Sequence, residues 1–158
     1  MTRQKNVNPQ KVAHSVSSLV GDTPTIGLSS ASTLTKEGQT KNSVAVALLS
    51  SPTLKASEHW LPGYAQSGRE TASLLRELAS ANGKGRQNIL FFADGFNGDA
   101  EQMCLALTGS KFSMIGGLSS GNPHTGSTSQ IAGKQAGSGS LAAALLEGDM
   151  KIGVGSDH

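Results

Sequence analysis

The sequence predicts an α/β fold in which helices pack on a mixed β-sheet, drawn as one sheet or as two. Three observations carry that reading. Two helical stretches have clear caps and one apolar face, several short continuous apolar runs suit buried strands, and a helix, strand, loop, strand order occurs twice.

Residues 1–8 are polar and aperiodic, and are expected to form a flexible leader. A first helix is predicted over 9–20, with Asn8 as N-cap, Pro9 at the first helical position and Gly21 as C-cap; Val12, Val16 and Leu19 or Val20 would form its inward face. A short strand follows at 25–28. Residues 43–50 (SVAVALLS) are continuously apolar between polar turns, which predicts a strand buried on both faces. Pro52, Pro62, Gly63 and Gly68 then break the chain into a connector that holds Trp60 and Tyr64. A second helix is expected over 67–81. Ser67 and Glu70 have capping-box spacing, Thr71, Leu74, Leu75 and Leu78 repeat at helical intervals, and Asn82-Gly83 would end it.

Residues 88–93 (NILFFA) read as a buried strand entering the turn pair Asp94-Gly95. Asp99 caps a third helix that ends at Gly109, with Ala100, Met103, Cys104 and Leu107 expected inward. Strands are predicted at 111–117, 128–136, 140–146 and 150–155, separated by Gly-rich turns.

The order repeats itself. A helix ending at Gly21 or Gly109 precedes a strand closing in GLSS (27–30 or 117–120), and a loop then leads to SVAVALL (43–49) or SLAAALL (140–146). One match in a chain rich in Gly, Leu and Ser is weak, but two collinear matches define pseudo-repeated halves, about 9–56 and 99–155. The second half has the strand 88–93 ahead of its helix; the first has only the polar leader there.

On these residues the chain resembles a known family. NILFFADGFNGDAEQMCLALTG with FSMIGGLSSG and SGSLAAALLEGDMKIGVGSDH is similar to the second part of an N-terminal FIST domain, and TIGLSSA with SVAVALLS to its first part. The resemblance covers 9–158, as a single α/β domain read as a partial N-terminal FIST domain without its opening strand or its C-terminal FIST partner. It implies a sensory module of an intracellular signal-transduction protein that binds a small polar ligand, with amino acids as the class. It also implies a C-terminal FIST or signalling output domain as partner.

Composition narrows the remaining possibilities. Thirteen basic residues against eleven acidic ones are scattered along the chain, and there are one Trp, one Tyr and four Phe. This gives no stripe for phosphates and few rings for bases, so no nucleic acid is expected as partner. The single cysteine precludes an internal disulfide, and no apolar run approaches the length of a membrane span. The expectation is a cytoplasmic chain with no membrane insertion.

Gly117-Leu118-Ser119-Ser120-Gly121 matches the G-x-S-x-G nucleophile elbow, yet Asn122-Pro123-His124 is a poor helix start and GLSSA at 27–31 shows the Ser-Ser pair to be a recurring turn. The hydrolase alternative would use Ser119, His124 or His158 as base, and Asp149 or Asp157. A second alternative is an interaction scaffold anchored by exposed Trp60 and Tyr64. The Gly clusters at 116–121 and 136–139 lack the lysine and helix of a phosphate loop. His14, His59, His124 and His158 show no metal-ligand spacing, so no metal and no cofactor are assigned. Cys104 reads as a buried small hydrophobe.

Asp94 ends a buried strand, and in open α/β sheets ligands gather at the carboxyl ends of strands. Asp94, Asn97, Ser119, Ser120 and Asn122 are therefore the expected ligand-binding residues, with no catalytic residue assigned. Asp and Asn also favour turns for local reasons, and turn formation accounts for Asp94 and Asn97 equally well.

Overall fold

The computed structural model describes residues 7–81, 87–121, 124, 126–148, 150 and 152–153. The leader through residue 6, the Asn82-Gly83 helix end, Asn122, Asp149, Asp157 and His158 lie outside the described residues.

Helix α1 spans Pro9–Val20, and the side chain of Asn8 accepts a hydrogen bond from Lys11 N at 3.0 Å while Gly21, at φ 62°, closes the helix by donating to Ser17 O. Val12, Val16 and Val20 of the expected face are half-buried, and the fully buried positions lie one residue further on. Ala13 and Ser17 are buried, whereas Leu19 is 86% exposed, because the helix lies along a small sheet whose close approach admits short side chains. Helix α2 spans Gly68–Ala81, capped by Ser67 Oγ accepting from Glu70 N, with Thr71, Leu75 and Ala79 buried. Helix α3, Ala100–Ala106, is capped by Asp99, which accepts from Gln102 N at 2.7 Å.

The main sheet has four strands in the order β4 (Lys55–Leu61), β9 (Leu141–Glu147), β5 (Gln87–Asp94) and β6 (Ser113–Ser119). β9 runs antiparallel to both neighbours, and β5 and β6 are parallel. The central position of β9 explains its composition: Leu141 through Leu145 are all buried, which leaves no place for a polar residue. Alternation along these strands sends Leu61, Ile89, Leu141 and Leu145 to the face covered by α2 and α3, where they join Leu75 and Met103 in the core. Burying each of these side chains contributes about 1.5 to 3 kcal/mol.

The opposite face is covered by a three-stranded antiparallel sheet, β1 (Ile26–Leu28), β7 (Gln130–Ala132) and β8 (Gln135–Gly137), along which α1 packs. β1 from the first half thus pairs with β7 from the second. A hairpin of β2 (Thr33–Thr35) and β3 (Gly38–Thr40) completes the described strands.

Several expectations need correction. Residues 43–50 form no strand: the whole run is exposed, with Val46 at 57% and Leu49 at 83%, and no described strand lies beside it to complete a ladder. The second-half copy of the same pattern is β9, so one sequence pattern has two outcomes that depend on available neighbours. The expected connector contains strand β4, whose polar residues suit the sheet edge. Tyr64 is buried at 1% exposure and Trp60 is half-buried, which removes the exposed aromatic anchor. Cys104 is exposed on a two-turn helix that buries Met103, with Leu107 buried just beyond its end. The strand expected at 111–117 is shifted to 113–119, the stretch 128–136 is the β7–β8 hairpin, and Met150, Ile152 and Gly153 are not in a strand.

Candidate functional site

Parallel pairing of β5 and β6 puts Asp94 directly opposite Ser119, so the carboxyl ends of both strands open on one side of the sheet. The turn before β9 (138–140), the approach to β7 (128–129) and the end of β1 (Ser29) meet there. Asp94 is the hub. Its carboxylate is 1% exposed and accepts from Phe96 N at 2.8 Å and Asn97 N at 2.9 Å through one oxygen. The other oxygen accepts from Ser138 Oγ at 2.9 Å and Gly139 N at 2.6 Å. Burial alone would raise its pKa, but the N–H groups of Gly139, Phe96 and Asn97 and the Thr128 hydroxyl outweigh burial and hold the carboxyl well below the ordinary carboxylate range. The residue is a fixed anion that ties the 94–97 loop to the 138–139 turn.

A second buried layer lies beside it. Gln130 is fully buried between the Ser119 and Thr128 hydroxyls on one side, at 2.6 and 2.9 Å, and Ser140 on the other. The orientation that satisfies the whole amide turns its oxygen toward Ser119 and Thr128, and its NH2 toward Ser140 and the Gly137 carbonyl. The Ser119 proton is then committed to that oxygen or to Ala93 O at 3.0 Å. At 2% exposure, with its hydroxyl engaged inside the protein, Ser119 is not disposed as a nucleophile, and no helix among the described residues follows its strand.

Asn97 and Ser120 lie nearer solvent. The Asn97 amide donates to Gly126 O at 3.0 Å, and its side chain is exposed. Ser120 is locked to the first GLSS turn: its N donates to Ser29 O at 3.0 Å, its carbonyl accepts from Ser29 Oγ, and its own Oγ accepts from Ala31 N. Ser29 also bonds Ser129 in both directions, N to O at 2.7 Å and N to Oγ at 2.9 Å. Four of the five expected residues therefore meet at one end of the sheet, two as buried supports and two toward its surface.

Sequence reasoning missed Thr128, Gln130, Ser138 and Ser140, which read as ordinary loop and strand residues. The available signal was a glutamine at the start of a short strand whose other two residues, Ile131 and Ala132, are apolar. Tyr64 packs against Gly98, held at φ 135°, and its hydroxyl is buried without a partner. Among the described residues, no three His, Cys, Asp or Glu side chains gather as a metal site requires, and no helix is long and apolar enough to cross a membrane.

The family described as the FIST N domain matches residues 2–158. Compared with curated proteins and with solved structures, the chain matches none.

Proposed function

From the premise that this chain belongs to the FIST N domain family, a sensory family of signal-transduction proteins and not an enzyme family, we propose that it binds a small polar ligand of amino-acid type at the carboxyl ends of β5 and β6. The observation that supports this most is the Asp94 hub, a buried carboxylate through which the loop after β5 and the turn before β9 hold one another.

In this reading Asp94 and Ser119 position the loops, and Asn97, Ser120 and Asn122 supply ligand contacts. A ligand that prefers one arrangement of these loops shifts their equilibrium by its differential affinity, and a C-terminal FIST or signalling output domain reads the shift. The exposed amide of Asn97 and the part-buried hydroxyl of Ser120 are the groups at this end of the sheet suited to a polar metabolite.

A thermal-shift screen against the amino acids and small carboxylates tests this. Ligand at a hundredfold excess over Kd stabilises by about 2.7 kcal/mol, a rise of about 5 to 10 °C for a chain of this size. Asn97→Ala should abolish the shift, and because its amide also donates to Asp94 and to Gly126 O the unliganded midpoint should fall modestly without loss of the fold. A panel that shifts nothing, or a shift indifferent to Asn97→Ala, overturns the assignment.

A further inference from the structure

A second concavity, remote from the Asp94 hub, has a chemistry of its own. The C-terminal end of α1, strand β4 and the β7–β8 turn line an open concavity of about 620 Å³, within the size range of small-molecule sites. Its walls include Trp60, Glu58, Asp22, Ser17 and Lys134. Glu58 and Trp60 are two apart on β4 and so share one face of the sheet, opposite Ala144 and Ala142 of β9.

Charge in this cavity is unbalanced toward the negative. Two carboxylates face one ammonium group. The last turn of α1 carries no basic residue, so the negative end of the helix dipole at Val20–Gly21 lacks a cation of its own helix. Glu58 uses one carboxylate oxygen to accept from Thr25 N at 3.2 Å, which orients the group from the side of the loop.

Ser17 supplies an independent observation. It is 7% exposed, lines the cavity, and its Oγ is buried with no hydrogen-bond partner. Such a hydroxyl costs free energy unless something satisfies it. An aromatic wall, two carboxylates, a helix C-terminus and an unpartnered hydroxyl together suit one class of molecule.

We propose that this cavity binds a small organic ammonium ion. Its alkyl body lies against Trp60, and its N–H groups are shared among Glu58, Asp22 and Ser17. Lys134 limits the ligand to one positive end on that side.

The chain's single tryptophan lies in this wall, so its fluorescence reports occupancy directly. Titration of the intact chain with n-butylammonium chloride, at constant ionic strength, should give a saturable change that n-butanol does not reproduce. Glu58→Gln keeps the oxygen that accepts from Thr25, and Asp22→Asn alters an exposed residue; each should weaken binding about tenfold, the effect of losing one charge-assisted contact. Lys134→Gln should tighten it, and Asn97→Ala, at the other site, should leave it unchanged. A response equal to that of n-butanol, or one unaltered in both Glu58→Gln and Asp22→Asn, overturns the proposal.

Discussion

Asp94→Asn is the most informative single change. The side chain keeps its shape, but one oxygen becomes an NH2 that must face either the N–H groups of Phe96 and Asn97 or the Gly139 N–H and Ser138 hydroxyl. At least one partly buried backbone donor loses its acceptor. A hydrogen bond to a charged group is worth about 1.5 to 3 kcal/mol, and an orphaned buried donor costs about 1 to 3 kcal/mol. Because these effects share one residue they do not add in full, and the expected loss is about 2 to 4 kcal/mol.

Urea denaturation at pH 7, followed by far-ultraviolet circular dichroism, measures this loss directly. The pH dependence supplies a second check. The folded-state pKa lies below the ordinary value of 3.8, so the carboxylate's contribution is complete above that value and is lost as pH falls below it. The stability gap between parent and Asp94→Asn should therefore narrow below pH 3.8. A loss under about 1 kcal/mol at pH 7, set against the cost of an orphaned donor, would refute the view that Asp94 organises the strand ends.

Other expectations follow from the packing. Gly98→Ala places a Cβ inside the Tyr64 ring at a positive φ and should cost about 2 to 4 kcal/mol; an unchanged melting temperature would contradict the contact. Leu145→Ala in the central strand should cost about 2 to 5 kcal/mol. Leu48→Ala in the exposed run should stay within about 0.5 kcal/mol, and equal losses for the two would place 43–50 in the core after all. Cys104 is exposed and should react with a thiol reagent in the native state as fast as in urea. The His59 pKa is lowered by burial against the opposing charge of Glu58, so its NMR titration midpoint should fall below 6.5; its contribution to stability is full above 6.5 and declines as pH drops through that value.

Elements whose causes are local were legible in the sequence. α2 carries its own cap and apolar stripe, and β5 and β9 are continuous apolar runs that suit a sheet interior. Residues 43–50 carry the same signal, yet a strand is a relation between two segments, and a segment does not encode whether a neighbour is present. β4 escaped notice for the opposite reason. An edge strand with one face toward a polar cavity alternates too irregularly in KASEHWL to resemble a buried run. The site shows the same division. Asp94 could be found from its place at the end of a strand, whereas its partner Ser138 is 44 residues away and nothing in the sequence joins them.

The interlocked Ser29, Ser120 and Ser129 turns have a kinetic consequence. Their hydrogen bonds close intervals of 91 and 100 residues, so no local event forms this joint; it requires that both sheets already exist and have approached. Hydrogen exchange should show the amides of Ser29, Ala31, Ser120 and Ser129 opening together and earlier than those of the buried strand β9; protection equal to that of β9 would contradict a separable seam. The seam between the two sheets is in this sense a latch, whose opening free energy can be altered without dissolving the core it holds.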